Sequence, residues 1–254
     1  MNSDRTLAAS WLGLRPYREM LEEQEQLVER RRKGETTDTV LLLEHPPTYT
    51  LGRRSEPSDR AGLEGEADTE VIDTPRGGRI TWHGPGQLVA YPIVDLKGIG
   101  RQPDGGSRAD VAAFVASLER AMVASLAEWG VESGPIEGLT GIWTGSDAAE
   151  LDPAEVASAI GDGELRKIGS IGLRVSRGVT SHGISLNLTC DLGPFERVEA
   201  CGIEGCRMTS VEAEVGSAPD PAGAAATFHL ALARELGLEA VTPEVGPADN
   251  ITSP

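Results

Sequence analysis

The sequence contains almost no lysine. Lys33, Lys97 and Lys167 are the only lysines among the 23 basic residues, and the others are arginine. An arginine side chain keeps its charge in a protein, whereas a desolvated lysine can release its proton. Lys167 stands at the start of a strand-like segment, so we expect its amine to be used for chemistry rather than for surface charge.

Cysteines, long apolar runs and basic clusters are also scarce. Three cysteines cannot all pair, which favours a reducing cytoplasm. No apolar run approaches about 18 residues, and no basic stretch followed by an apolar one begins the chain, so neither a membrane span nor a signal peptide is predicted. The formal net charge is −17, and residues 30–33 are the one basic cluster in the sequence. This composition argues against a nucleic-acid partner and favours high solubility.

The 254 residues, of which 39% are hydrophobic, suffice for one large domain or two small ones. Apolar residues at helical spacing predict helices over 16–33, 107–129 (capped by Ser107), 153–160 and 222–236. Shorter apolar runs predict strands at 40–43, 48–52, 71–73, 80–82, 88–94 and 141–143. Residues 55–69 are predicted to be a loop, 145–166 an acidic excursion, and 242–254 a flexible tail.

The most regular pattern is a predicted β-hairpin. Ile171, Leu173 and Val175 alternate with small or charged residues, and the alternation resumes from Ile184 to Leu188 after the turn residues 176–178. The hairpin carries Lys167 at its start and delivers Cys201 a short loop after its end.

The densest motif is RGGRITWHGPGQ at residues 76–87. Glycines on both sides of a short strand let a ligand approach the backbone closely, and they place His83 as a candidate wall of a site. Alternatively, the motif is two tight turns without a ligand.

Cys201 lies in an Ala-Cys-Gly-Ile turn outside any periodic apolar run. Such a cysteine is either an exposed nucleophile, whose thiolate needs a neighbouring base or cation, or a small buried hydrophobe. Cys190 and Cys206 are interpreted as structural. A zinc site built from the three cysteines is disfavoured, because their spacing matches no common ligand pattern. His182 is either a site residue or a satisfied core histidine, and His45 and His229 carry no special signal.

Taken together, these motifs resemble the lipoyl(octanoyl) transferases. The resemblance runs in order from about residue 14 to residue 236. It is carried by the segment Leu41 to Gly52, Arg76-Gly77-Gly78 to Thr81, His83 to Gln87, Lys167-Ile168, Ile171-Gly172, Arg174-Val175, His182-Gly183, Asn187 and Cys201-Gly202-Ile203.

The resemblance implies an α+β fold, with a mixed β-sheet flanked by helices as in biotin and lipoate protein ligases. It implies Cys201 and Lys167 as catalytic residues: the Cys201 thiolate takes an octanoyl group from octanoyl-acyl carrier protein, and a lysine of a lipoyl domain then attacks the thioester. Lys167 would favour the thiolate and move protons. The implied substrate-binding residues are Arg76, Gly77, Gly78, Arg79, Ile80, Thr81, Trp82, His83, Ser170, Ile171, Gly172, Gly183, Ile184 and Ser185.

The implied acceptors are the lipoyl domains of 2-oxoacid dehydrogenase complexes and the glycine cleavage H protein. No cofactor and no metal are implied, and the expected compartment is the cytoplasm. We expect one catalytic domain over residues 1–241, with 145–166 as an acidic insertion longer than is usual. Trp82 replaces the tyrosine that usually precedes the histidine, and Ala200 replaces a proline, but no reacting group is lost.

Two other classes stay open. An ATP-dependent lipoate or biotin ligase would share the sheet and a lysine like Lys167, but it would not need Cys201. A non-catalytic acyl-binding or lipoyl-binding module would need neither residue.

Overall fold

The structure is a computed structural model that describes residues 5–61, 63, 69–97, 99, 110–145, 151–198 and 205–241. The residues outside this description include Cys201, Ser107, residues 146–150 of the predicted acidic excursion, and the predicted tail 242–254. Within the described chain, nine strands form one mixed sheet and three strands form a smaller one. Helices cover both faces of the large sheet, so the expected fold class is confirmed.

The strands β1 to β12 are, in chain order, Thr6–Leu14, Asp38–Glu44, Thr48–Leu51, Glu70–Asp73, Thr81–His83, Gln87–Ile93, Gly134–Ile136, Leu139–Thr144, Arg166–Ser176, Val179–Asn187, Arg207–Met208 and Glu239–Val241. The large sheet has the order β12-β1-β2-β6-β10-β9-β8-β7, with β11 also paired to β9, and the small sheet has the order β4-β3-β5. β1 runs parallel to β2 and β12, whereas β2, β6, β10, β9, β8 and β7 pair antiparallel.

The helices α1 to α6 are Tyr17–Lys33, Pro57–Ala61, Val111–Glu128, Pro153–Asp162, Val211–Val215 and Pro221–Leu236, and a 3₁₀ turn spans Gly193–Arg197. α3 and α6 pack on one face of the large sheet, and α1 packs on the other. The aliphatic run in β2 reflects this arrangement, because Val40 and Leu42 enter the first core while Leu41 and Leu43 enter the second. A strand buried on both faces has no polar side to alternate with. Each such side chain contributes roughly 1.5–3 kcal/mol of stability.

The predicted hairpin is confirmed and is longer than its apolar pattern. β9 and β10 pair from Ser176 and Val179 at the turn to Gly169 and Leu186. Arg177 adopts a left-handed backbone, with φ of 51°, and Gly178 follows with φ of 89°. The turn therefore uses the two residues that the sequence marks for it.

Two expectations need correction, and one strand was not predicted. The long helix begins at Val111 rather than at 107, because the Asp110 side chain accepts a hydrogen bond from the Ala113 N–H at 2.9 Å and caps it. Residues 55–69 include the short helix α2. β1 was not predicted, since its burial does not alternate regularly along its length. The expected helix at 153–160 is confirmed as α4, which begins with a capping box of Asp152 and Glu155.

Candidate active site

A cavity of about 240 Å³ lies where the segment 76–83, β9 and β10 meet. Most of the site residues expected from the sequence line it: Arg76, Gly78, Arg79, Ile80, Thr81, His83, Lys167, Ser170, Ile171, Gly172, Gly183, Ile184 and Ser185. The exceptions among the described residues are Gly77 and Trp82, and Cys201 lies outside the described residues. The fold therefore brings together residues that are about 90 positions apart in the chain.

Trp82 and Gly77 lie beside the cavity lining rather than in it. Successive side chains of a strand point to opposite faces. Thr81 and His83 consequently line the cavity, while the Trp82 ring packs edge-on against Phe195, with ring centroids 5.6 Å apart. The Gly77 N–H donates to the Leu173 carbonyl at 2.9 Å, which holds the 76–78 segment against β9.

The close approach at this point depends on Gly172. A side-chain carbon built there would lie 3.1 Å from Arg76 Cδ and 3.3 Å from the Gly77 carbonyl oxygen. A larger residue would therefore require Arg76 or the Gly77 backbone to shift.

Lys167 is only 2% exposed, although lysine is rarely fully buried. Its backbone pairs with Trp143 of β8 and with Met208 of β11. Its Nζ donates to the Thr140 carbonyl at 2.9 Å and lies 5.3 Å from the centre of the Trp143 ring. The described structure thus places the one buried lysine among the three of the sequence in the cavity wall.

Arg76 begins a buried chain of hydrogen bonds. Its Nη2 donates to Thr50 Oγ1 at 2.8 Å, and Thr50 Oγ1 lies 3.4 Å from His83 Nε2. His83 Nδ1 is 2.7 Å from Gln87 Oε1, while Gln87 Nε2 donates to Asn187 Oδ1 at 2.9 Å. Because Gln87 Oε1 accepts, His83 carries its proton on Nδ1 and presents Nε2 to the threonine hydroxyl.

Two tyrosines and three histidines form a second group on this side of the cavity, which we call the neutral cluster: Tyr17, His45, His83, Tyr91 and His182. Tyr17 stacks on His83 with centroids 5.7 Å apart, and His45 packs against Tyr17 at 4.8 Å. His45 Nδ1 donates to the Arg15 carbonyl at 2.7 Å, so Nε2 accepts from the Tyr91 hydroxyl, also at 2.7 Å.

Burial keeps the histidines of this cluster uncharged. It lowers the pKa of His83 to about 3, with the neighbouring His45 adding to the effect, and lowers the pKa of His45 to about 4. Burial, followed by the charges of Arg76 and Arg174, lowers the pKa of His182 to about 3. Burial also raises the pKa of Tyr17 and Tyr91. All five groups are therefore neutral near pH 7.

His182 has two further features. Its backbone is left-handed, with φ of 54°, and its Nδ1 has no hydrogen-bond partner within the described residues. The reading of His182 as a satisfied core histidine is therefore wrong, since the side chain lines the cavity.

The two described cysteines both pack against apolar side chains. Cys190 packs in the core of the small sheet, and burial raises the pKa of its thiol to about 12. Cys206 is half-buried beside Trp143 and α4. The chain that follows Cys201 is joined to Lys167, because the Thr209 N–H donates to the Lys167 carbonyl at 2.9 Å.

Sequence patterns alone did not identify Tyr17, His45, Tyr91 or Thr140 as residues around the cavity. Tyr17 and Tyr91 fit the apolar patterns of α1 and β6, so their hydroxyls gave no separate signal. Within the described part of the chain, no group of three His, Cys, Asp or Glu side chains is arranged to hold a metal ion. Its helices are also too short or too polar to cross a bilayer.

Comparison with known proteins identifies the family. The family model for the lipoyl protein ligase A/B catalytic domain matches residues 16–233, and the chain belongs to this family. The octanoyltransferase of Salinispora tropica is 44% identical over 204 residues, which are 80% of this chain and 84% of that protein. The octanoyltransferase of Mycolicibacterium smegmatis is 47% identical over 179 residues, covering 70% of this chain and 67% of the relative. The expected enzyme class, an acyltransferase, is thereby confirmed.

Solved structures agree on the fold. A bi-partite lipoate protein ligase from Thermoplasma acidophilum, studied with its E2 lipoyl domain, has a TM-score of 0.62 at 12% identity and covers 96% of this chain and 89% of that one. A lipoate-protein ligase A bound with ATP has a TM-score of 0.61 at 13% identity, covering 95% and 90%. At these identities the likeness concerns the fold alone.

Proposed function

We propose that the protein transfers an octanoyl group from octanoyl-acyl carrier protein to a lysine of a lipoyl domain, through a thioester on Cys201. The observation that carries the proposal is the buried side chain of Lys167 in the wall of a partly apolar cavity, in a chain that is 44% identical to an octanoyltransferase. A lysine at this position is suited to stabilise an anion and to move a proton.

In the proposed first step, the Cys201 thiolate attacks the carbonyl carbon of the donor thioester. The bond between that carbon and the carrier sulfur breaks, the carrier leaves as a thiolate and takes up a proton, and octanoyl-Cys201 forms. The positive charge of Lys167 favours the attacking thiolate.

In the proposed second step, the amine of the acceptor lysine attacks the carbonyl carbon of octanoyl-Cys201. An amide forms, the Cys201 sulfur leaves, and the proton released by the amine passes by way of Lys167 to the sulfur or to solvent. The first step thus consumes the thiolate that the second step regenerates.

The cavity lining supports an aliphatic substrate. Ile80, Leu139, Ile171 and Ile184 give it apolar surface for a chain. Polar and charged side chains line the rest of the cavity and can orient a carbonyl. The neutral cluster supplies no charge that an acyl chain would have to approach.

The acceptors that we propose are the lipoyl domains of 2-oxoacid dehydrogenase complexes and the glycine cleavage H protein. One structural neighbour was studied with its E2 lipoyl domain, which agrees with this class of partner. Because Cys201 must be a free thiol, we propose the cytoplasm as the compartment.

The test is a turnover assay with octanoyl-acyl carrier protein and a lipoyl domain, with and without ATP. We expect a hydroxylamine-resistant octanoyl amide on one lysine of the domain, at the same rate in both conditions. Transfer from free octanoate that needs ATP would instead indicate a ligase, and binding of octanoyl-acyl carrier protein without transfer would indicate a non-catalytic module.

A further inference from the structure

Lys167 is fixed at its base by both neighbouring strands. β8 pairs with it on one edge through Trp143, and β11 pairs with it through Met208. The Lys167 carbonyl also accepts the Thr209 N–H at 2.9 Å. The position of the ammonium therefore depends on what guides the four-carbon side chain beyond this fixed base.

β8 provides that guide at Gly141. A side-chain carbon built on Gly141 would lie 2.7 Å from Lys167 Cε and 3.2 Å from Nζ. The glycine has φ of 112°, a conformation that other residues rarely adopt, and the β8–β9 register shifts between Ile142 and Trp143. Such irregularities re-aim side chains next to active sites. Here the irregular strand leaves space for the lysine to cross it and reach the Thr140 carbonyl.

The ring of Trp143 forms the other side of this space. It lies 5.3 Å from Nζ and is itself 2% exposed. Its partners in a buried apolar cluster include Val156, Ala159 and Ile160 of α4. The predicted acidic insertion is thus more than surface decoration, since its helix backs the ring that contacts the lysine.

We propose that Gly141 and Trp143 are positioning residues for Lys167, and that α4 acts through Trp143 to hold the ammonium at the Thr140 carbonyl. The inference rests on the proposed function for its catalytic meaning and on the contacts of β8 for its geometry. Neither residue reacts; each restricts where the Lys167 amine can be.

The first test is a double-mutant cycle of Gly141→Ala with Lys167→Ala, read as single-turnover octanoylation of Cys201. In the wild-type background, we expect Gly141→Ala to slow the reaction on the order of 10²-fold, as a displacement of about 1 Å does. In the Lys167→Ala background, the same change should slow the residual rate much less, because no lysine side chain is displaced and only the contact with the Gly169 carbonyl oxygen, at 2.5 Å, remains.

The matched control is Gly130→Ala. Gly130 has φ of 80°, and a side-chain carbon there would meet no atom within 4 Å, so the variant carries the backbone strain without the clash. It should leave the rate of octanoylation unchanged. An equal slowing by Gly141→Ala in both lysine backgrounds would overturn the inference while leaving the proposed function intact, whereas a wild-type protein that forms no thioester would overturn the proposed function.

A carbon added at Gly141 would also lie 2.5 Å from the Gly169 carbonyl oxygen, so Gly141→Ala can fail to fold. Trp143→Phe and Trp143→Leu therefore form a second pair of test variants. The Trp143 Nε1 has no hydrogen-bond partner within the described residues, so phenylalanine leaves no buried group newly unpaired. We expect Trp143→Leu to be roughly 2- to 30-fold slower than Trp143→Phe, the span of a lost cation–π contact. Equal rates would contradict a positioning role for the ring.

A readout independent of turnover is reductive methylation of the lysines, measured by mass spectrometry. The exposed Lys33 and Lys97 are internal standards. We expect Trp143→Leu and Gly141→Ala to raise the labelling of Lys167 relative to these two, because its ammonium leaves the Thr140 carbonyl. Unchanged relative labelling would show that neither residue holds the lysine.

Discussion

The wall of the cavity has two buried parts that hold different titratable groups, Lys167 in one and the histidines and tyrosines of the neutral cluster in the other. At β8 and β9, the Nζ of Lys167 donates to the Thr140 carbonyl at 2.9 Å. In the neutral cluster, burial drives the pKa of His45 to about 4 and that of His83 to about 3, and their protons already serve hydrogen bonds. Several titratable groups thus share one cavity, and burial leaves the histidines among them neutral near pH 7. We propose proton transfer for Lys167 and not for these histidines.

The largest expected effect is on the Lys167 side of the comparison. Lys167→Arg keeps a positive charge but cannot release its proton, and Lys167→Met keeps the approximate length without charge. If proton transfer is the main role, both variants should lose about 10²- to 10⁴-fold in kcat. The controls are Lys33→Arg and Lys97→Arg at exposed positions. Near-normal turnover of Lys167→Arg would reduce the role of Lys167 to electrostatics.

The neutral cluster should instead appear in the pH dependence of stability. In the unfolded chain its histidines take up protons below their ordinary pKa near 6.5, but in the folded protein they do so only near pH 3 to 4. The stability that they contribute is complete above pH 6.5 and is lost as the pH falls through this window. At pH 5, each histidine that stays neutral in the folded protein lowers the free energy of unfolding by about 2 kcal/mol relative to its value above pH 6.5.

Urea unfolding at pH 7.5 and pH 5 measures this loss. His45→Gln should reduce the difference in free energy of unfolding between the two pH values by about 2 kcal/mol, because one proton fewer is bound on unfolding. An unchanged pH difference would mean that His45 is charged in the folded protein. That result would remove the contrast between the two parts of the wall.

A smaller effect is expected for Tyr91→Phe. The change leaves His45 Nε2 without its donor at 2.7 Å, which should cost about 1–3 kcal/mol of stability. Its effect on kcat should be smaller than that of Lys167→Met. Tyr49→Phe is the matched control, since Tyr49 donates to the Pro194 carbonyl at 2.9 Å outside the cavity lining. A rate loss for Tyr91→Phe as large as that for Lys167→Met would place Tyr91 in the chemistry.

The smallest expected effect concerns salt. Of the arginines near the site, Arg76 is buried, Arg79 pairs with Asp59 at 2.7 Å, and Arg166 pairs with Glu214 at 2.9 Å. With a net charge of −17, we expect repulsion of an acidic carrier protein to dominate. The Debye length falls from about 10 Å at 0.1 M to about 3 Å at 1 M, so KM for octanoyl-acyl carrier protein should fall or stay flat. A steep rise would indicate a basic docking patch.

The sequence predicts features that depend on local patterns better than features that depend on contacts between distant segments. A continuous apolar run located β2, and periodicity located the β9–β10 hairpin and the helices α3 and α6, because each of these patterns reflects the burial of its own segment. Lysine scarcity singled out Lys167. The neutral cluster was not predicted, since its members come from α1, the end of β2, β5, β6 and β10, and only the packing of these elements joins them. The position of the Lys167 side chain was not predicted for the same reason. It depends on a register shift in β8 that no local sequence pattern indicates.

The most direct test of the account is the intact mass of the protein after incubation with octanoyl-acyl carrier protein alone. We predict one hydroxylamine-labile octanoyl group on the wild-type protein and on the Cys190→Ala, Cys206→Ala double variant, and none on Cys201→Ala. Burial raises the pKa of the Cys190 thiol to about 12, so that residue should not compete. An adduct that maps to Cys190 or Cys206, or one that persists in Cys201→Ala, would contradict the account.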